Sequence, residues 1–139
     1  QRPDFRCAAA LDAGNGEITG FAYGYHSLPG QWWYDHVARA MDSEMAAEWL
    51  SDAFQVAEVA VMPEHQGRGT GGALHDGLLA GVMQSRAVLS TMAVETVAHV
   101  LYRHRGWQVL LDRFLFPGVP RSYAIMGLNL QAFRVKVIS

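Results

Sequence analysis

Cysteine, lysine and long apolar runs are all scarce in this chain. Cys7 is the single cysteine, so no internal disulfide can form and no cysteine-based metal spacing exists; we expect no bound metal. Lys136 is the single lysine among eleven basic residues, the rest being arginine, a bias that reads as coding composition and not as chemistry. No basic run or stripe occurs and the net charge is −2, which excludes the electrostatic footprint of a nucleic-acid binder. No apolar stretch reaches the roughly 18 residues of a membrane helix. Gln1 to Arg6 lack a signal-peptide pattern, so a cytoplasmic setting is expected. An initiator methionine is missing as well, and the sequence reads as a trimmed or partly observed chain. What is present suits one globular domain over 1–139: half of the residues are hydrophobic and 17% are charged, too apolar for disorder.

The pattern alternates between strands and helices. Residues 5–11, "FRCAAAL", and 17–26, "EITGFAYGYH", read as a hairpin around the turn residues "DAGNG". Residues 31–52 carry helical spacing, with Trp33, Val37, Ala40 and Met41 as one stripe. Asp42-Ser43 with Glu44 restarts a second short helix there. "FQVAEVAVM" (54–62) is a continuous apolar strand, the kind that lies centrally in a sheet. Leu74, Leu78 and Val82 predict a helix over 70–84, with Gly77 and Gly81 inside it and packed closely on a sheet. A strand at 87–92, a helix closed by Gly106, and strands at 107–116 and 122–130 complete the chain. The β-α-β-α-β centre predicts a parallel pair, and the flanking hairpins predict antiparallel edges. The fold class is therefore α/β, a mixed sheet with helices on both faces.

Chemistry concentrates in "HQGRGTGG" (65–72), which follows the central strand and opens a helix. Backbone amides and the helix dipole make such a place an anion site, and Gly67, Gly69, Gly71 and Gly72 let the backbone approach the anion closely. A triphosphate loop would need Lys and Ser or Thr after Gly72, where Ala73 and Leu74 stand. A dinucleotide fingerprint would need an acid about 20 residues on, where Ser90, Thr91 and Met92 stand. A plain glycine-rich turn is the remaining structural reading.

The surroundings of the loop resemble the cofactor motif of the GNAT superfamily of N-acetyltransferases, Q/R-x-x-G-x-G/A after a strand, carried here by Gln66, Gly69 and Gly71. "AHVLYRHRGW" (98–107) resembles that family's second signature through Leu101, Tyr102, Gly106 and Trp107. The resemblance covers 5–26 and 54–131. The helical piece 31–52 is unusual in its position, and the family's first strand and two N-terminal helices have no counterpart.

The resemblance implies a GNAT-like sheet whose central strands splay to admit acetyl-CoA, here strands 54–62 and 87–92. The pantetheine arm would pair with Val59, Ala60 and Val61, and the amide of Val61 would hold the thioester oxygen as charge develops on it. The backbone of Gly67, Arg68, Gly69, Thr70, Gly71 and Gly72 would surround the pyrophosphate, with Gln66 opening the motif and the Arg68 guanidinium adding a charged contact. Tyr102 matches the general acid that protonates the departing thiolate. Glu95 lies seven residues earlier, where many relatives hold the pantetheine with Asn.

From the residues themselves, Glu58 is a lone carboxylate in an apolar strand, where burial would raise its pKa toward that of a useful base. The alternative is a charge paired with a neighbour, or one that faces solvent at a splayed strand edge. Tyr25 and His26 end the early strand and are candidate substrate contacts, with Tyr23 beside them. In "QWWYDH" (31–36) Trp33 belongs to the core stripe, while Trp32 or Tyr34 faces elsewhere; Trp32 is a candidate contact for an ammonium-bearing acceptor. The expected activity is acetyl transfer from acetyl-CoA to a primary amine of a small molecule or peptide by direct attack. The alternative is a non-catalytic acyl-CoA-binding or sensing module. No nucleic acid or membrane partner is expected, and a homodimer is left open.

Overall fold

The computed structural model describes residues 3–94 and 96–133. Hydrogen bonding orders six strands as β1-β2-β3-β4-β6-β5, with β1 at Arg6–Leu11, β2 at Ile18–Ser27, β3 at Ala53–Val61, β4 at Arg86–Met92, β5 at Gln108–Phe114 and β6 at Tyr123–Asn129. The helices are α1 (Trp32–Ala40), α2 (Ser43–Leu50), α3 (Thr70–Leu79) and α4 (Val97–His104). The chain groups into two compact units, Gln1–His26 with Val56–Met83, and Ser27–Gln55 with Gln84–Ser139. Strand β3 runs through both.

In the first unit, β1 and β2 form the expected antiparallel hairpin. Its turn is built by Asp12, whose Oδ1 accepts from the amides of Gly14 at 2.7 Å and Asn15 at 3.2 Å. Those amides, Gly14's first, hold the Asp12 carboxyl below its ordinary range, and the charges of His65 and Arg68 add to the effect. Gly20 on β2 lets two backbones meet: a Cβ there would lie 2.8 Å from the Ala60 carbonyl oxygen. Helix α3 packs on β1 and buries Leu74, Leu78 and Leu79; each such side chain contributes about 1.5–3 kcal/mol. Arg6 ties the helix end to β1 by donating from Nε to the Leu78 carbonyl at 3.0 Å and from Nη2 to that of Ala80, which satisfies carbonyls that a helix end leaves open.

Helix α3 is shorter than its apolar spacing predicts. It stops at Leu79, and Gly81 lies beyond it at φ +81°, a left-handed terminator and not an interior residue. Gly77 is exposed and a Cβ there would meet nothing within 4 Å, so neither glycine serves close packing on the sheet. Val82 is buried all the same, past the helix end, which is why the four-residue spacing misled.

In the second unit, α2 starts where expected, with the Asp42 carboxylate accepting from the Met45 amide at 2.8 Å. Strands β3 and β4 are the parallel pair, in the register Ala53 to Arg86, Phe54 to Ala87 and Gln55 to Val88. Strand β6 lies antiparallel to β4 and β5 completes the order. Trp33, Val37, Met41, Leu50, Ala53, Val88, Phe116 and Ile125 form one core. Gly127 on β6 is required by packing, because a Cβ there would lie 2.6 Å from the Trp49 ring. Helix α4 packs on β4, and Gly106 at φ +94° ends it.

Candidate acyl-CoA site

The first unit assembles the glycine loop around one strand end. After Val61 the chain makes a 3₁₀ turn, Pro63–His65, and the Gln66 side chain folds back so that Nε2 donates to the Val61 carbonyl at 3.1 Å. Gln66 therefore acts as a tether between loop and strand, which its place in the motif did not reveal. Gly67 and Gly69 take φ +80° and +81°, values that L side chains rarely adopt, and nothing lies within 4 Å of a Cβ built on either. Gly69 caps α3, and Ala73 donates back to its carbonyl at 3.1 Å. The amides of Thr70, Gly71 and Gly72 precede that first helical bond, so they have no partner within the helix. The result is a set of helix-terminal N–H groups that directly follows two glycines whose Cβ positions are open, at the positive end of a helix dipole. Arg68 is exposed and its Nη1 lies 3.5 Å from His65 Nδ1.

Val59, Ala60 and Val61 are half-buried along the end of β3. Glu58 is exposed, so the expected burial of its carboxylate is not found: its position on the strand turns it to solvent. Tyr25 and His26 are half-buried on β2, and His26 Nδ1 lies 3.7 Å from Asp4 Oδ2. Glu95 lies outside the described residues.

The second unit holds the remaining candidates. Tyr102 on α4 is 7% exposed, its ring 5.7 Å from that of Trp107, and burial pushes its phenol up to about 12. Trp33 is buried as the stripe predicts, and its Nε1 donates to Ser90 Oγ at 3.3 Å. Trp32 is the exposed member of its helix turn at 54%, and Tyr34 packs against the core. The Trp32 ring stacks on Phe116 at 5.3 Å and lies 4.5 Å from His36. Asp35, on the same helix, accepts from the Gly30 amide at 3.0 Å. Phe116 and Tyr123 join this aromatic group without having been singled out from sequence. Their one signal was the aromatic content of "FLFPGVPRSY", and only the β5–β6 pairing brings them to α1.

Among the described residues there is no group of three metal-ligand side chains and no helix long and apolar enough to cross a membrane. No protein-family model matches the chain. The chain is 34% identical over 130 residues to the GCN5-like protein acetyltransferase Rv2170 of Mycobacterium tuberculosis, covering 88% of this chain and 63% of that protein. Among solved structures it resembles a nourseothricin acetyltransferase, with TM-score 0.64, 22% identity, 91% of this chain and 66% of that one. It also resembles yncA of Salmonella typhimurium, a putative acetyltransferase solved with acetyl-CoA, at TM-score 0.64, 18% identity, 91% of this chain and 65% of that one. The two structures are likenesses of fold. This chain spans just under two thirds of the length of each of the three.

Proposed function

We propose that this chain, 34% identical to a GCN5-like protein acetyltransferase, is a member of the GNAT superfamily and transfers an acetyl group from acetyl-CoA to a primary amine by direct attack, without an acyl-enzyme. The observation that carries this reading is the loop Gly67 to Gly72, where two left-handed glycines leave open the space a Cβ would fill beside helix-terminal amides. That donor set fits a pyrophosphate. The amides of Gly67 through Gly72 and the Arg68 guanidinium would hold it, and Val59, Ala60 and Val61 would pair with the pantetheine arm. Acetyl-CoA supplies the activated thioester when bound.

Tyr102 is assigned the role of proton donor to the departing sulfur. At about 12 its phenol holds its proton more tightly than a thiol of about 8.5. Hence Tyr102 is protonated at every physiological pH and helps chiefly by donating a hydrogen bond as negative charge grows on sulfur. Glu58, exposed on β3, is assigned to take the amine proton directly or through water. Tyr25, His26 and Trp32 are assigned to the acceptor, a small-molecule or peptide amine. With these assignments go a cytoplasmic setting, in which the lone Cys7 thiol stays reduced, and a homodimer to be tested by sedimentation.

The competing class is an acyl-CoA-binding module without turnover, favoured by one observation: Glu58, the carboxylate expected to be buried in its strand, is exposed instead. Calorimetry with acetyl-CoA and NAD, followed by thiol release across an amine panel, decides. Binding of acetyl-CoA alone with amine-dependent thiol release supports the enzyme. Binding without turnover supports the module, and absence of acetyl-CoA binding defeats both.

A further inference from the structure

Along one face of β4 and β6 the second unit presents hydrogen-bond donors and a cation. Ser90 and Met92 alternate onto the same side of β4, opposite Ile125 and Tyr123 of β6. Ser90 is half-buried and its Oγ accepts from Trp33 Nε1, so the hydroxyl keeps its own proton to donate to a further acceptor. Arg121, in the turn before β6, is exposed, and among the described residues its guanidinium has one polar contact, Nη1 to the Met92 thioether at 3.9 Å. A thioether is a weak acceptor, so at least four of the five N–H donors and the full charge stay available. Tyr123 packs edge-on against Phe116 at 5.8 Å, and Phe116 backs the exposed ring of Trp32. The α1 acid, Asp35, is turned to the Gly30 amide.

We propose that this face receives a carboxylate of the acceptor, so that the amine acetylated belongs to a molecule that also carries a carboxylic acid, as an amino acid or a peptide fragment does; this rests on the acetyl transfer proposed above. A carboxylate only accepts hydrogen bonds, and it matches the Arg121 fork with two parallel contacts. The Ser90 hydroxyl, polarised by the indole N–H behind it, adds a third donor. Trp32, open on one side and stacked on Phe116 on the other, gives a flat apolar wall for the acceptor's side chain. A polyamine lacks the group this face is built to take and meets the Arg121 charge instead.

The test compares matched amines: phenylalanine, its amide, phenethylamine, O-phosphoserine and spermidine. Thiol release from acetyl-CoA and calorimetric binding in the presence of CoA are both measured. Losing a charge-assisted contact of this kind costs about tenfold to a hundredfold. Phenylalanine should therefore exceed its amide by at least about tenfold in kcat/KM or in affinity, chiefly through KM. Arg121→Gln, in an exposed turn and checked by its melting temperature, should close that gap to within about threefold. Equal use of acid and amide, preference for spermidine, or a gap that survives Arg121→Gln overturns the assignment. Preference for O-phosphoserine over phenylalanine would assign the face to phosphate and overturn the carboxylate. If acetyl-CoA binds and amines react regardless of their acid group, the acetyltransferase reading stands and this one fails. If acetyl-CoA does not bind, the acetyltransferase reading fails, while the calorimetric comparison of acid with amide still decides this one.

Discussion

Replacing Tyr102 by Phe removes one oxygen and separates a packing role from a chemical one. The ring lies against Trp107 and is 7% exposed, so Phe should keep the packing and cost about 1 kcal/mol or less at neutral pH. The alkaline range is different. Burial raises the phenol to about 12 in the folded chain, against about 10 when unfolded. A raised pKa in the folded state means stability that is fully present below pH 10 and lost as pH rises through 12. The loss amounts to about 2–3 kcal/mol, from roughly two pH units at 1.36 kcal/mol each. Tyr102→Phe has no phenol to ionise, so between pH 10 and 12 it should fall off less steeply than the parent. Urea melts at several pH values, with phenolate absorbance followed alongside, measure both. In the activity assay the same variant should lose about 10²–10⁴ in kcat if the phenol donates to the leaving sulfur, with near-native acetyl-CoA affinity. Identical alkaline profiles for the two proteins would refute the burial argument. A kcat within about threefold would refute the chemical role while leaving the packing intact.

Three further outcomes are expected. Gly69→Val forces a β-branched side chain into φ +81° and into the space beside the helix-terminal amides; acetyl-CoA affinity by calorimetry should drop by more than about tenfold, and unchanged affinity in a folded variant would remove the loop from the cofactor site. Glu58→Gln, at an exposed position, should shift stability by no more than about 0.5 kcal/mol yet alter the ascending limb of the pH–rate profile; an unaltered limb reassigns the base. Gly127→Ala drives a methyl to 2.6 Å from the rigid Trp49 ring, and denaturant melts should show a loss of about 1–3 kcal/mol; a neutral result would mean that α2 can shift away from the sheet.

The element order, the parallel pair and the glycine loop were legible in the residues, because each rests on local rules. Alternation and helical period mark strands and helices. Asp42 announces its helix by the chemistry of its own side chain. Phosphate-binding loops need glycines at fixed offsets, so Gly67 and Gly69 were visible as a spacing before their left-handed backbone was known. The error at α3 was also local in origin. Val82 keeps the apolar period past the helix end because it is buried from a turn, and period alone does not distinguish these cases.

Only the tertiary structure decided which side chains face outward and which meet. Glu58 and Gln55 sit in the same strand, yet the glutamate is exposed and the glutamine buried, since what covers each face of β3 is contributed by segments far away in the chain. Trp33 of α1 reaches Ser90 of β4 across 57 residues, and Arg121 meets Met92 across 29 because β6 lies beside β4 with β5 outside it. No spacing rule encodes that order. The sequence by itself determined the glycine loop that opens α3, whose left-handed turns and helix-terminal amides lie next to one another in the chain. The arrangement of donors that would choose an acceptor depends on strands pairing at long range, and only folding sets it.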